Sequence, residues 1–312
     1  MLINRTAILA KNETTYGTDA TPAASDAIDV FDFTIKPTGD KIVRQPYKAN
    51  LSPSEHVIGK KLVEGSFKME VRGAGAAYSA SVRPDPDPIL RASGLSATVD
   101  TTPGAEKVTY DPVSTGFESV TIYAYMDGLI HKVLGCFCTF KLIAQAGQIA
   151  IFEVSFKGLY QVPVDGAIIT PTLLALQPPI VQSVGLTIGG WAAGVYEKLE
   201  MDAAVEISER PDLNSAEGLK GLAITGRQPA GSMDPLAVTE ATKSFWANWK
   251  AGTAEALTAT IGSTQYNKMT LSAPKVQISD IAWGDRSKER IYSLGLNFAG
   301  NAGDDEFQLV FA

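Results

Sequence analysis

The stretch "GCFCTFKLIAQAGQIAIFEVSFKGLY" at 135–160 decides the fold. Phe152, Val154 and Phe156 alternate with Glu153, Ser155 and Lys157, and the run from Cys136 to Ile143 alternates in the same way. A period of two is the mark of a strand with one buried and one wet face. The stretch therefore reads as strand, turn, strand. A related unit, "APKVQISDIAWGDRSKERIYSLGLNFAG", returns at 273–300 and ends, like the first, in an aromatic residue followed by x-Gly. Leu294, Leu296 and Phe298 form its apolar face, opposite Gly295, Asn297 and Ala299.

Working outward, "LVEGSFKMEVR" (62–72) and "SVTIYAYM" (119–126) show the same alternation, so the chain is expected to be mainly β. Two stretches break the rhythm. "PDPDPILRASGL" (84–95) and "TEATKSFWANWKAG" (239–252) combine helix-start residues with a closing glycine and predict short helices. Trp246 and Trp249 sit at helical spacing and are expected in the core.

Laid over each other, the halves keep one order of elements. "EGSFKMEV" (64–71) matches "AGSMDPLA" (230–237) around a shared Gly-Ser; a helix, a strand pair and the opening unit follow in each. This predicts a duplicated β unit, with residues 1–160 as one copy, 161–182 as a linker rich in Pro and Thr, and 183–312 as the other. Each copy is expected to be a β-sandwich or half-barrel with one flanking helix. The length of 312 residues suits two such units.

Composition narrows the function. A net charge of −7 argues against a protein that grips nucleic acid through a basic stripe. The acidity is uneven, with 16 cations against 17 carboxylates in 1–160 and 11 against 17 in 161–312. The start, "MLINRTAILAKNETTYG", meets Lys11 after a very short apolar run, so no secretory signal is expected there. The uncharged run from Gly166 to Tyr196 is broken by Pro171, Pro178 and Pro179, which does not suit a membrane span.

Catalytic constellations are missing from the sequence. There is no Gly-x-Ser-x-Gly, no phosphate-cradling Gly-Lys loop and no His-Glu-x-x-His, while "GAGAAY" (73–78) lacks the third glycine of a dinucleotide fingerprint. Cys136 and Cys138 read as small core residues rather than metal ligands, since His56 and His131 offer no matching spacing. Asp85 and Asp87 read as acids at a helix start. The run Asp304, Asp305, Glu306 reads as a solvated turn or a contact with a neighbour. No enzyme, cofactor or metal is predicted.

One segment has no core-like periodicity. "KPTGDKIVRQPYKANLSPSEHVIGKK" (36–61) is long, polar and mixed in charge, which in a compact protein suits either a floppy hairpin or a contact loop.

The segments "ILAKNETTYGTDATP", "DKIVRQPYKANLSPSEHVIGKKLVEGSFKMEVRGAG", "PILRASGL", "VTYDPVSTGFESVTIYAYMDGLIHKVLGC", "AGQIAIFEVSFKGLY", "APKVQI" and "AGDDEFQLVF" follow one another along essentially the whole chain. Together they resemble the tail tube proteins of long-tailed, siphovirus-like bacteriophages. The resemblance implies a tail-tube-type β-sandwich or half-barrel whose subunits join sheets edge to edge in rings. The rings stack into a hollow tube through which DNA reaches the host. It further implies that a duplicated chain makes trimeric, pseudo-hexameric rings, and that the partners are other copies of the chain, a tape measure protein, a tail terminator and tail tip proteins. Double-stranded DNA passes transiently and non-specifically, no membrane is involved, and the particle is a virion assembled in the host cytoplasm.

On this reading the loop 36–61 makes the inter-ring contact through Lys41, Arg44, Lys48, Glu55, Lys60 and Lys61, with Glu200, Asp202, Glu206 and Glu209 as partners. The wet face becomes the lumen wall. Its candidates are Glu64, Ser66, Lys68, Glu70, Thr139, Lys141, Glu153, Ser155 and Lys157 in the first half, and Ser232, Asp234, Gln277, Ser279 and Asn297 in the second. The alternative is a binding module of a baseplate or adhesion protein built on the same sandwich.

Overall fold

The computed structural model describes residues 2, 5–215 and 217–312, and its elements are nearly all antiparallel strands. The first half runs β1 (Thr6–Asn12), β2 (Ala27–Ile28), β3 (Val30–Ile42), β4 (Val57–Glu70), α1 (Asp87–Ala92), β5 (Leu95–Asp100), β6 (Lys107–Pro112), β7 (Val120–Met126), β8 (Leu129–Gln145) and β9 (Ile151–Tyr160). Two short strands, β10 (Val164–Asp165) and β11 (Thr187–Ile188), lead into β12 (Lys198–Asp202), β13 (Val205–Pro211), β14 (Leu219–Arg227) and β15 (Ala230–Met233). Then come α2 (Phe245–Ala251), β16 (Ala254–Ile261), β17 (Met269–Arg286), β18 (Glu289–Ala299) and β19 (Gln308–Phe311). The mainly β class expected from the alternation is the class found.

Strand pairing organises the molecule into two layers. One layer runs β3-β4-β9-β8-β12-β15-β18-β17, each strand antiparallel to the next. In the other, β1 pairs with β7, and β19 bridges β17 to β6. Strand β8 serves both layers: its first turns pair with β7 and its last residues with β12. A single core lies between the layers, with Phe67, Phe140, Phe152 and Phe156 from the first packed with Ile8, Tyr110, Ile122 and Phe311 from the second. Residues of both halves belong to this core.

Pairing order repeats in the two halves. β3-β4-β9-β8 in the first corresponds to β12-β15-β18-β17 in the second. The shared Gly-Ser falls at the same place in each: Thr34 lies opposite Ser66, as Glu200 lies opposite Ser232. The glycines are there because the chains approach closely. A Cβ on Gly65 would sit 2.4 Å from the Thr34 carbonyl oxygen, and one on Gly231 would sit 2.3 Å from that of Glu200. The two aromatic-x-Gly endings, by contrast, do not correspond. Gly65 faces Phe156, whereas Gly231 faces Leu296, so the sequence overlay is out by two residues. Strand β17 carries a bulge between Ile278 and Asp280 in its pairing with β18.

The helix expectations are also corrected. The helices are shorter than predicted because Pro84 and Pro86 delay the first, which then ends before Gly94 at φ 77°. The second starts only at Phe245, with the Glu240 carboxylate accepting the Trp246 N–H at 3.1 Å. Trp249 is 43% exposed and so is not core. The stretch 161–182 is laid along the first half: β10 pairs with β8, and the Leu176 carbonyl accepts from Arg72. Within 36–61, both ends are strand and only 43–56 lacks regular structure.

Candidate functional site: the polar face and the two arms

The outward face of the eight-stranded layer is polar, and its registers run straight across both halves. One row reads Lys68, Glu153, Lys141, Asp202, Ala230, Asn297, Gln277, each opposite the next. Another carries the hydroxyls of Thr34, Ser66, Ser155 and Thr139. In the first half the face alternates in charge from strand to strand, and opposite charges across a ladder stabilise it. Lys68 reaches Asp32 at 3.1 Å and Glu153 at 3.6 Å, Lys157 reaches Glu64 at 2.8 Å, and Lys141 reaches Glu200 at 2.8 Å. Lys198 contacts Glu200 as well. The second-half wall is almost uncharged, with Ser232, Gly295, Asn297, Gln277 and Ser279 in its place.

Glu200 sits at the junction of the halves. Burial alone would raise its pKa, but hydrogen bonds from Lys141 and Lys198 outweigh that and hold it below the usual carboxylate value. Lys141 is raised in turn, chiefly by its bond to Glu200.

Two sequence-expected wall residues are drawn elsewhere. The Glu70 carboxylate lies 3.7 Å from buried Arg72, which also holds Asp85 at 2.9 Å and Asp29 at 3.3 Å. The Asp234 carboxylate accepts the N–H groups of Glu197 and Lys198 and binds Arg286 at 2.5 Å. Asp87 likewise serves packing: it accepts from the Tyr110 hydroxyl at 2.6 Å and from Arg83 at 3.1 Å.

Strands β3 and β4 form a long hairpin arm, and β12 to β15 form its counterpart in the second half. The first arm projects freely. Lys41, Arg44, Lys48 and Glu55 at its tip are exposed, as expected, but the tip also carries Tyr47 and Leu51, both fully exposed, beside Ile42, Val43, Val57 and Ile58. The charges are legible in the sequence and this apolar surface is not, because Tyr, Leu and Ile are scattered there without any period.

The second arm folds back. It is broken at Ala204, whose φ of 45° bends the chain and whose N–H is held at 2.7 Å by Asp202, and opposite that point by Pro229, which has no N–H to donate. Beyond the break, β13 and β14 lie over the wet face and bury Leu219 and Leu222 against Leu62 and Phe137. Leu62, Phe137 and Leu159 share the wet face by register and were missed because alternation cannot reveal a cover from the other half. Three ties hold the arm. The Leu222 N–H donates to the Tyr16 hydroxyl at 2.6 Å, Lys60 pairs with Glu209 at 2.5 Å, and Lys61 pairs with Glu217 at 2.8 Å. Arg227 completes the attachment by donating to the Val113 carbonyl at 2.6 Å and to Glu306 at 3.1 Å, with Asp304 also in contact. Asp304 and Glu306 therefore form an internal clamp, while Asp305 between them accepts the N–H groups of the turn 301–303.

Lys60 and Glu209, expected to meet between rings, thus meet within one subunit. Glu206 alone of the four acids proposed as loop partners has neither an ion pair nor a capping role among the described residues.

A family model described as phage tail tube protein matches residues 3–282. The chain belongs to that family. This tail tube protein is accordingly a structural component of a phage tail, and its arms and polar face are read in that setting. No curated protein matches the sequence. Among the described residues, no group of His, Cys, Asp and Glu could hold a metal ion, and no helix is long and apolar enough to cross a membrane. Cys136 and Cys138 are free and fully buried, and burial pushes both thiols well up.

Proposed function

We propose that the protein polymerises as stacked rings into the hollow tail tube of a siphovirus-like phage, with trimeric rings of pseudo-hexameric symmetry. Residues 1–160 and 183–312 act as two tandem copies of one ring unit, tied by 161–182 and sharing one core. The observation that carries this reading is the junction of β8 with β12: a four-stranded unit from each half joins the other edge to edge inside a single chain. Each subunit then fills two of six places, its polar face lines the lumen, and the free arm reaches the next ring.

That arm makes contact through its apolar tip, because Tyr47 and Leu51 are uncovered while Lys60 and Lys61 are already engaged within the subunit. Exposed apolar surface of this kind marks a contact site. Tape measure, terminator and tail tip proteins bind the ends of the same tube, which is assembled in the host cytoplasm. DNA passes without being gripped. Lys68 and Lys157 are each paired with a carboxylate, and Lys141 and Lys198 share that of Glu200, so the wall offers few free cations to phosphate.

Negative-stain electron microscopy of concentrated protein, with native mass spectrometry of dilute protein, tests the reading. Hollow tubes with six-fold ring views built from trimers are expected. Compact particles that never polymerise, even when seeded with tail tips, would favour a baseplate or adhesion module. The wall has its own test: Glu64→Gln frees Lys157 and Glu153→Gln removes a second negative charge, and the resulting tubes are expected to retain DNA at low salt and release it as salt rises.

A further inference from the structure

The internal junction serves as a template for the junction between subunits. We infer that β3 of one copy pairs antiparallel with residues 280–286 of β17 in the next, with Thr34 opposite Gly284, Ile35 opposite Trp283 and Lys36 opposite Ala282. This inference rests on the ring reading above and adds its register, residue by residue.

The pairings repeat residue by residue between the halves. Because Ser66 and Ser232 are equivalent, Thr34 stands where Glu200 stands, Ile35 where Met201 stands, and Lys36 where Asp202 stands. Following Ser155 and Gly295 outward in the same way, Thr139 corresponds to Asp280, Lys141 to Ala282, Leu142 to Trp283 and Ile143 to Gly284. Within the chain, Asp202 lies opposite Lys141, Met201 opposite Leu142, and Glu200 opposite Ile143. Transferring those pairs to the free strands gives the register stated. Both edges are open: among the described residues β3 pairs with β4 alone, and β17 pairs beyond Gln277 with β18 alone.

Three independent features of the side chains agree with it. Trp283 is 54% exposed, whereas Leu142, its counterpart, is fully buried where β12 adjoins β8. In the proposed pairing Ile35 covers Trp283 as Met201 adjoins Leu142. Lys36 has no ion pair within the subunit, and neither has Asp280, among the described residues. The diagonal that brings Lys141 to 2.8 Å from Glu200 brings Asp280 to Lys36 when shifted by one step, with the charges exchanged between strands. Finally, Pro37 occupies the place of Ala203, whose N–H donates to the Phe140 carbonyl at 3.0 Å. Pro37 cannot make that bond, so the ladder between subunits ends at Ile35, and proline here sits where it is tolerated, on an edge strand.

Disulfide trapping tests the register. The N–H of Ala203 to Phe140 and the N–H of Ala146 to Glu197, at 2.8 Å, bracket the internal junction and make Lys141–Asp202 a pair without backbone bonds between its members. Such pairs are the closely spaced ones, with Cα atoms about 4.5 Å apart, within disulfide reach. Lys36→Cys with Ala282→Cys, at two exposed positions, should therefore give covalent multimers of whole chains upon mild oxidation of assembled tubes. Reductant should dissolve them. Thr34→Cys with Ala282→Cys, shifted by two residues on the same face, should cross-link at least tenfold more slowly. The buried Cys136 and Cys138 do not compete. Lys141→Cys with Asp202→Cys supplies the intramolecular standard.

If tubes form and the shifted pair cross-links faster, or neither pair does, the register is wrong and the tube reading stands. If the wild-type protein forms no rings or tubes, both fall. Should the cysteine variants fail to fold, wild-type fluorescence decides: assembly must shift emission to shorter wavelength, and Trp283→Phe must remove most of that shift. An unchanged shift in Trp283→Phe overturns the proposed contact.

Discussion

The two arms are built from equivalent strands and end in opposite states. The β3–β4 arm runs unbroken for 13 and 14 residues and carries an apolar tip into solvent. Its counterpart breaks at Ala204 and Pro229 and lies down over the polar face, where it buries Leu222. The same pairing pattern thus gives a reaching element in one copy and a fastening element in the other. What separates them is where the pairing stops: β12 parts from β15 at Ala204 and ties to Tyr16, Lys60 and Lys61 hold the detached pair down, whereas β3 stays paired to β4 on both sides of left-handed Asp32 and of Pro37. On the proposed duplication, one copy can lose an outward contact without the whole subunit losing it.

The sharpest way to break this comparison is to remove the free tip. Replacing residues 40–57 by a short turn is expected to abolish tubes while leaving the unfolding midpoint nearly unchanged, since almost nothing in that stretch is buried. Electron microscopy and thermal unfolding on the same sample check it; long tubes from the shortened protein would remove stacking from the first arm's role. The reverse pattern is expected beneath the second arm. Phe137→Ala removes a 5% exposed ring that packs under Leu219 and Leu222 and stacks with Tyr16, and should cost about 3–5 kcal/mol in chemical denaturation. Amide exchange across β13 and β14 should rise with it.

A smaller effect is expected at the clamp. Arg227→Ala leaves Glu306 without its partner and should cost about 1–2 kcal/mol, read as faster exchange in β14 ahead of the rest of the sheet. Acid sharpens the comparison at the junction of the halves. Glu200 has a folded pKa below its ordinary 4.5, so its stabilisation is fully present above that value and is lost as pH falls through the lower folded pKa. Glu200→Gln should flatten the acid limb of stability below about pH 4.5 and leave the curve at neutral pH the same shape. The smallest effect belongs to Lys60→Ala. Its partner Glu209 is solvent-accessible, and the unfolding midpoint is expected to stay within error, because exposed pairs contribute little.

The sequence made some of this legible and hid the rest for physical reasons. Alternation located β4, β8 and β9, because each buries one face in the core over most of its length, and also β7, which is in fact buried on both faces from Val120 to Ala124; the Gly-Ser pair located the repeat, because only glycine tolerates a neighbouring carbonyl at that distance. The expected wall residues Ser66, Lys68, Thr139, Lys141, Glu153, Ser155 and Lys157 do share one face. The aromatic-x-Gly endings misled the overlay of the second strand pair, because a shift of two residues leaves every side chain on its face and is invisible to a pattern of period two. The folded-back arm was hidden because Leu62 and Phe137 alternate like any wet-face position until another part of the chain covers them. Trp249 looked like core at helical spacing, but α2 lies on the outside and has only Phe245 fully buried.

The β8–β12 junction also bears on how a ring closes. Two bodies that associate forfeit translational and rotational freedom, a cost estimated at about 4–15 kcal/mol per event. A junction made during folding of one chain carries no such cost, and it cannot dissociate at low concentration. In a ring of three such subunits every second seam is present before assembly begins, so fewer encounters are needed and fewer partly closed intermediates exist. Ring formation should accordingly depend on a lower power of protein concentration than in a tube whose units are separate chains.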